Sequence, residues 1–237
     1  MTYHSYRPAV ADRILTPEEA LSEVAGHMES ANLTVVGIAG PGEPLCSRST
    51  FETLTLVRER YPELLLCLST NGLLLPERAE WLWDVGVRTL TVTLNTVDPE
   101  IGASIYAYAE YDGGVLKGIE AARVLLESQL TGIEKAVRLG LVVKVNSILI
   151  PGVNDKGHLE QVARIARQLG AHVQNITPLI PLGEFRDVQP PSCDQLRSTR
   201  RRCERVIAQF RRCRQCRADS VGIPGREGAP SGQTPRP

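Results

Sequence analysis

Leu33-Thr34-Val35-Val36-Gly37-Ile38-Ala39 is an unbroken run of small and mostly β-branched residues, and it decides the fold class. A short run of this kind, ended by Gly40-Pro41-Gly42, is typical of a strand buried on both faces of a parallel sheet. A helical pattern follows at 50–60, and a second apolar run follows at 64–69. Strand, helix and strand in this order predict a right-handed βαβ unit.

The same alternation continues on both sides of this unit. Thr16-Pro17-Glu18-Glu19 predicts a helix start, with Thr16 and Glu19 forming a capping box and the helix running to about residue 30. A polar and aromatic loop is predicted at 97–114. Further strands are predicted at 88–95, 141–149 and 171–176, with helices at 76–85, 116–138 and 156–169. The pattern therefore predicts an α/β protein with five strands in a parallel sheet.

The pattern changes after residue 181. Pro190-Pro191-Ser192 precedes a last predicted helix at 193–210, and Cys213-Arg214-Gln215-Cys216 follows it. Gly, Pro, Ser and Arg dominate from residue 222 and predict a disordered tail. We therefore divide the chain into a barrel core at 1–181, a C-terminal helix and CxxC segment at 182–221, and a tail at 222–237.

Composition excludes several classes of function. The 237 residues have a formal net charge of zero, 42% hydrophobic residues and 23% charged residues, which is typical of one globular domain with a real core. A neutral chain does not favour nucleic acid or a membrane surface as partner. No apolar run approaches the ~20 residues of a membrane helix, and the first residues do not have a signal-peptide pattern. These features predict a cytoplasmic protein.

Six cysteines are present, and two of them form the pair Cys213 and Cys216. In a cytoplasmic chain we expect reduced thiols or metal ligands rather than disulfides. A C-x2-C pair alone is compatible with zinc, an iron–sulfur cluster or redox chemistry. Cys67 lies inside a leucine-rich predicted strand, where a buried structural thiol is the simpler interpretation.

Polar residues follow four of the predicted strands. Gly40-Pro41-Gly42-Glu43-Pro44 follows the first strand and Ser69-Thr70-Asn71-Gly72 ends the second. Asn95 and Asn146 lie at the ends of the next two. In parallel α/β folds ligands bind at the carboxyl ends of the strands, so this placement predicts a ligand site there. Taken one at a time, residues of this kind are more often plain turns and structural caps than ligand contacts.

Several long runs of the chain resemble sequences of the NifB family, within the radical S-adenosylmethionine superfamily. The resemblance covers roughly residues 7–222, and its longest runs are 35–42, 66–72, 92–102, 143–155 and 213–222. It implies a partial (β/α)6-type parallel barrel. It also implies radical, lyase-type chemistry in nitrogen fixation, in which two [4Fe–4S] units are joined around a carbide into the precursor of the nitrogenase cofactor.

The resemblance also implies a set of site residues, cofactors and partners. The implied contacts to S-adenosylmethionine are Gly42, Glu43, Thr70, Asn95 and Asn146. The implied cluster ligands are Cys213 and Cys216 for one substrate cluster and Cys67 for the other. The implied cofactors are [4Fe–4S] clusters and S-adenosylmethionine. The implied partners are iron–sulfur cluster donors and the carrier or scaffold proteins of nitrogenase cofactor assembly.

The chain departs from the family at its start. The C-x3-C-x2-C triad that defines the superfamily is absent from the 237 residues, although Arg7-Pro8-Ala9-Val10 matches the family segment that follows it. We expect a barrel that lacks its first strand, and an N-terminally truncated chain that is inactive as written because three thiolates hold the cluster that cleaves S-adenosylmethionine. The alternatives are a non-radical protein that binds or carries iron–sulfur clusters, and a decayed copy without function.

Overall fold

Five parallel strands form the central sheet. The computed structural model of the protein describes residues 14–30, 33–39 and 42–211. The strands lie side by side in chain order and are β1 (Val35–Ile38), β2 (Leu65–Thr70), β3 (Val87–Thr93), β6 (Val142–Leu149) and β7 (Val173–Pro178). Parallel strands in chain order with right-handed connections leave all the connecting helices on one side of the sheet. The predicted five-stranded parallel sheet is confirmed, and its architecture is an α/β partial barrel.

Helices cover the outer face of this sheet, except the fourth, which packs on the fifth. They are α1 (Pro17–Ser30), α2 (Arg48–Arg60), α3 (Leu75–Asp84), α4 (Pro99–Ile105), α5 (Gly118–Arg138), α6 (His158–Gln168) and α7 (Cys193–Glu204). The predicted capping box before α1 is present, because the Glu19 amide donates to the Thr16 hydroxyl (3.2 Å) and the Thr16 amide donates to the Glu19 carboxylate (2.8 Å). Among the described residues, no helix is long and apolar enough to cross a membrane.

The core lies between the sheet and these helices. Alternate residues of the strands, such as Leu66, Leu68, Val143 and Val145, are fully buried against the helices. Residues between them point to the opposite face, which we call the inward face, and many are only half-buried. The sheet therefore buries the outer side of its central strands and leaves much of the other side accessible to a ligand.

The prediction of a loop at 97–114 is wrong, since this segment contains α4 and a hairpin of β4 (Tyr108–Tyr111) and β5 (Gly114–Lys117). Asp112 and Gly113 turn the hairpin with positive φ angles of 49° and 74°, which a two-residue type I′ turn requires. The hairpin packs Ala109 against α5 in a small separate cluster. Its polar outer face hid the strand alternation in the sequence.

The last predicted helix, 193–210, is too long by six residues, since α7 ends at Glu204. The chain turns there because Ile207 enters the main core. It then runs parallel to β7, where the Gln174 amide donates to the Ala208 carbonyl (2.9 Å) and the Phe210 amide donates to the Gln174 carbonyl (2.7 Å). Residues 208–210 thus extend the sheet beyond β7.

The packing of the described residues after 181 bears on the predicted division of the chain at that residue. Cys203 of α7 and Ile207 belong to the same core cluster as the sheet. The described part of 182–221 therefore packs on the barrel core. The tail predicted at 222–237 lies outside the described residues.

At the opposite edge of the sheet, no strand of the described part of the chain pairs with β1 on the edge that faces away from β2.

Substitution of Gly132 in α5 tests how closely this helix packs against α3. A Cβ at this position would lie 2.7 Å from the Leu75 Cβ atom, whereas a Cβ at Gly26 in α1 would meet nothing within 4 Å. Alanine favours a helix by up to about 1 kcal/mol over glycine, but overpacking costs about 1–3 kcal/mol. We expect Gly132→Ala to lower the free energy of unfolding and Gly26→Ala to leave it equal or higher, as measured by urea denaturation. Equal stabilisation by both substitutions would contradict the close packing of α3 and α5.

Candidate functional site

The inward face of the sheet carries mostly polar side chains. Strand pairing aligns Cys67 with Thr89, Ser69 with Thr91 and Lys144, and Thr93 with Asn146 and Asn175. These positions supply thiol, hydroxyl and amide groups together with one ammonium group. Such groups donate and accept hydrogen bonds in defined directions, so the face is suited to a polar ligand.

Glu43 lies at the carboxyl edge of the sheet, in the loop after β1, and its carboxylate joins this loop to β2. One carboxylate oxygen accepts hydrogen bonds from the Thr70 hydroxyl (2.5 Å) and the Leu45 amide (3.1 Å), and the other accepts one from the Asn71 amide (2.7 Å). Gly42 precedes it with φ of 90°, a conformation that favours glycine. Gly40 and Pro41, which were part of the predicted loop, lie outside the described residues.

The turn after β2 is fixed by bonds within it and by Gln129 of α5. The Gly72 amide donates to the Thr70 hydroxyl (3.0 Å), and the Leu73 amide donates to the Asn71 side-chain oxygen (2.8 Å). The buried Gln129 side chain donates to the carbonyls of Asn71 (2.8 Å) and Thr93 (2.9 Å). Gln129 therefore ties the ends of β2 and β3 together.

Asn95 joins the end of β3 to β6. It is buried, its side-chain oxygen accepts from the Ile148 amide (2.9 Å), and its side-chain nitrogen donates to the Tyr106 hydroxyl (3.1 Å). Burial raises the pKa of the Tyr106 phenol, so this hydroxyl stays protonated and uncharged. Both ends of the Asn95 amide thus already bond to protein groups, and the contact to S-adenosylmethionine implied for Asn95 stays a prediction.

Asn154 completes the same edge from the loop after β6. It is fully buried, and its side-chain nitrogen donates to the carbonyls of Asn95 (2.9 Å) and Ile148 (2.8 Å). Its side-chain oxygen accepts from the Ile150 amide (2.8 Å). All three bonds depend on the orientation of one amide, so Asn154 fixes the distance between β3 and β6 at the site.

Asn146 and Asn175 lie side by side on the inward face. The Asn175 side-chain nitrogen donates to the Asn146 side-chain oxygen (2.6 Å). Asn175 is fully buried, and its own side-chain oxygen has no hydrogen-bond partner among the described residues. Buried polar atoms are rarely left unpaired, so this oxygen suits a donor group supplied by a ligand, such as a sugar hydroxyl.

The cysteines fall into three groups. Cys67 is a half-buried free thiol on the inward face, opposite Gly37 of β1. Cys46 and Cys193 are exposed, whereas burial beside Glu160 raises the pKa of the Cys203 thiol to about 12, which makes it inert. Cys213 and Cys216 lie outside the described residues.

Sequence reasoning missed the residues that hold the edge together, Gln129, Tyr106 and Asn154. Asn154 had a signal, since it follows a Pro-Gly turn immediately after a strand. Gln129 had none, because an amide on a helix is ordinarily exposed. Of the predicted site residues, Glu43 and Thr70 bond directly to each other.

Comparisons with known proteins agree with this architecture. A family model described as the radical SAM superfamily matches residues 2–175. The FeMo cofactor biosynthesis protein NifB of Methanocaldococcus jannaschii is 46% identical, with 92% of this chain and 72% of that protein covered. NifB of Klebsiella pneumoniae is 47% identical, with 93% of this chain and 49% of that protein covered. This chain belongs to the NifB family. It spans about half the length of the Klebsiella relative.

A solved structure supports the fold of this NifB-family chain. A radical SAM methyltransferase from Sphaerobacter thermophilus matches with a TM-score of 0.63 and 22% identity, over 84% of this chain and 58% of that chain. The superfamily implies S-adenosylmethionine and a [4Fe–4S] cluster as cofactors. Glu43 and the unpaired Asn175 oxygen suit the amino and hydroxyl groups of S-adenosylmethionine. The resident cluster does not fit, because within 14–30, 33–39 and 42–211 no three histidine, cysteine or acidic side chains are placed to hold a metal.

Asn154→Asp tests whether the edge of the sheet depends on this amide. The substitution places an oxygen against the carbonyls of Asn95 and Ile148, so we expect the free energy of unfolding to fall by about 3 kcal/mol. Asn71→Asp is the matched control, because Asn71 is exposed and uses its side-chain oxygen as an acceptor, which aspartate retains. Guanidinium denaturation measures both, and an equal loss in the two variants would contradict the assignment.

Proposed function

We propose that this chain takes part in the biosynthesis of the nitrogenase FeMo cofactor, where it binds S-adenosylmethionine and iron–sulfur clusters on the inward face of its sheet. The names of its relatives support the process. The observation that carries the proposal is the convergence of Glu43, Thr70 and Asn71 at the carboxyl edge, where Thr70 ends the strand that carries the inward-facing Cys67. The product of the reaction is the iron–sulfur–carbide precursor of the cofactor.

S-adenosylmethionine binds at the carboxyl edge in this proposal, and a [4Fe–4S] cluster held by residues other than those described would supply the electron for radical chemistry. The Glu43 carboxylate accepts hydrogen bonds from the amino group of the methionine moiety, while the Thr70 hydroxyl and the Asn71 amide hold this carboxylate in place. Asn146 and Asn175 bind ribose hydroxyls. Gly42 lets the backbone approach the ligand closely.

The substrate clusters bind through thiolates. Cys67 ligates one cluster from the inward face of β2, and Cys213 and Cys216 ligate the other. Cysteine thiolates are the usual ligands of iron–sulfur clusters, and a half-buried inward position protects a cluster from solvent. The partners that we propose are proteins that donate iron–sulfur clusters and the carrier or scaffold proteins that accept the precursor.

A second function follows from the cysteine spacing. No three cysteines in the 237 residues have the C-x3-C-x2-C spacing. For these residues alone we propose cluster and S-adenosylmethionine binding without reductive cleavage, which is the function of a cluster-binding or carrier protein. Formation of 5′-deoxyadenosine by the reconstituted chain under a strong reductant distinguishes the two functions.

Cysteine-to-serine variants test the cluster ligands. After anaerobic reconstitution with iron and sulfide, we expect Cys67→Ser, Cys213→Ser and Cys216→Ser each to lose at least a third of the bound iron and sulfide, because a hydroxyl is a poor cluster ligand. Cys193→Ser, which changes an exposed thiol at the start of α7, serves as the control and keeps the iron content of the wild type. Iron contents that are the same in all five proteins would refute the assignment.

Glu43→Gln tests the S-adenosylmethionine site. We expect the dissociation constant for S-adenosylmethionine to rise at least tenfold, because the ammonium group of the ligand loses a charged acceptor, and isothermal titration calorimetry measures the change. Glu52→Gln removes a carboxylate on α2 that pairs with Arg48, and we expect it to leave the affinity unchanged. An affinity unaffected by Glu43→Gln would place the ligand elsewhere.

A further inference from the structure

Lys144 is the one charged side chain among the inward-facing residues that pairing aligns in the five-stranded sheet. It is half-buried on β6, next to Thr91 of β3 and Val173 of β7. In the described part of the chain, no carboxylate lies within 4 Å of its ammonium nitrogen. A lysine that is partly removed from water is ordinarily paired with an anion. The inward face therefore has one positive charge without a counter-charge from the described residues.

The ring of Phe210 restrains the ammonium group of Lys144. The nitrogen lies 5.0 Å from the ring centroid, a cation–π distance. Phe210 is fixed beside β7, because its amide donates to the Gln174 carbonyl (2.7 Å) and the Gln209 side chain donates to the Gln174 side chain (3.0 Å). An aromatic ring attracts a cation without neutralising it, so an anionic ligand can still bind to this ammonium group.

Strand pairing places Lys144 near Cys67, the one thiol on the inward face of the described strands. Cys67 aligns with Thr89 of β3, Thr89 aligns with Val142 of β6, and Lys144 follows Val142 by two residues. Neighbouring strands are about 4.8 Å apart and a strand rises about 3.3 Å per residue, so the two Cα atoms lie roughly 12 Å apart along the sheet. The inward residues of β3 between them, Thr89 and Thr91, have short side chains. The space between the thiol and the ammonium group can therefore hold a ligand that contacts both.

We propose that Lys144 is the charge partner of the substrate iron–sulfur cluster that Cys67 binds, and that Phe210 is a positioning residue for its ammonium group. This inference rests on the proposed function, in which Cys67 is a cluster ligand. Each thiolate ligand adds a negative charge to the cluster, and a nearby cation in a partly desolvated site stabilises it. The cation favours the reduced cluster more than the oxidised one, because the reduced form carries one more negative charge.

The carboxylate of S-adenosylmethionine is the other anion that a lysine on this face can bind. The observations favour the cluster, because Glu43 places the amino acid moiety of that ligand at the loops beyond the ends of β1 and β2. Lys144 instead lies within the sheet, and Asn146 and Asn175 lie between it and the carboxyl edge. A cluster partner changes iron content and reduction potential, whereas a carboxylate partner changes the affinity of cluster-free protein for S-adenosylmethionine.

The first test measures the iron content of the full chain after anaerobic reconstitution with iron and sulfide, in Cys67→Ser, Lys144→Met and the double variant. We expect Lys144→Met to lose part or all of the iron that Cys67→Ser loses, and the double variant to lose no more than Cys67→Ser alone. Substitutions that act on one cluster are not additive, whereas substitutions at independent sites are. Lys144→Arg keeps the charge and restores the iron content, and the exposed control Lys117→Met changes nothing.

The second test measures a midpoint potential and separates an electrostatic role of Lys144 from a structural one. The relevant cluster is the one whose EPR signal is missing in Cys67→Ser. We expect Lys144→Met to shift its midpoint potential to more negative values and Lys144→Arg to restore it. Phe210→Leu, which keeps an apolar side chain but removes the ring, shifts the potential in the same direction by less. A purely structural role of Lys144 would not make the potential follow the charge at this position.

Four results count against the inference, and one of them also counts against the proposed function. An unchanged iron content and potential in Lys144→Met, with iron still lost in Cys67→Ser, would overturn the inference alone. Additive iron losses in the double variant would also overturn it, because Lys144 would then act at another site. A weaker affinity of cluster-free Lys144→Met for S-adenosylmethionine, with iron and potential unchanged, would overturn it in favour of the carboxylate. An iron content of Cys67→Ser equal to that of the wild type would overturn the proposed role of Cys67 together with the inference.

Discussion

One-sided burial of the sheet is the constraint on which the rest of the structure depends. Because the strands lie in chain order with right-handed connections, the helices that pack on the sheet lie on its outer face and the apolar residues that alternate along β2 and β6 are buried there. The residues between them do not pack against the helices and carry thiol, hydroxyl, amide and ammonium groups. The site is therefore a direct consequence of strand order and of the two-residue period of the strands.

The carboxyl edge of this sheet is held by side-chain hydrogen bonds rather than by apolar packing. The Glu43 carboxylate joins the loops after β1 and β2, Gln129 joins the ends of β2 and β3, and Asn154 joins β3 to β6. Each is a single side chain that bonds to backbone groups of a neighbouring segment. Such bonds fix the separation of strand ends, so the edge is ordered before any ligand binds.

The sequence predicts the strands of the sheet but not the hydrogen bonds that hold its carboxyl edge. The strands β1 and β6 are rich in β-branched residues, and their order follows from the alternation with helices. The β4–β5 hairpin carried a usable signal in Asp112-Gly113, yet its aromatic and polar residues suggested a loop. The end of α7 carried no local signal, because burial of Ile207 in the core is a tertiary effect that overrides helix propensity.

Some residues of the site could be predicted from the sequence and others could not. Glu43 and Thr70 were predicted from their place after strands, and they lie together. Gln129 was not predictable, since only the fold brings an amide of α5 to the ends of β2 and β3. Lys144 and Phe210 are far apart in the sequence, and their contact depends on the parallel bridge between 208–210 and β7. Long-range pairing of this kind is invisible in local patterns.

The most direct test of the account is anomalous X-ray diffraction at the iron edge, from crystals of the anaerobically reconstituted chain grown with S-adenosylmethionine. We expect an iron peak on the inward face beside the Cys67 sulfur, with the ligand amino group at the Glu43 carboxylate. Iron bound on the outer, helical side of the sheet, or S-adenosylmethionine bound away from Glu43, would contradict it.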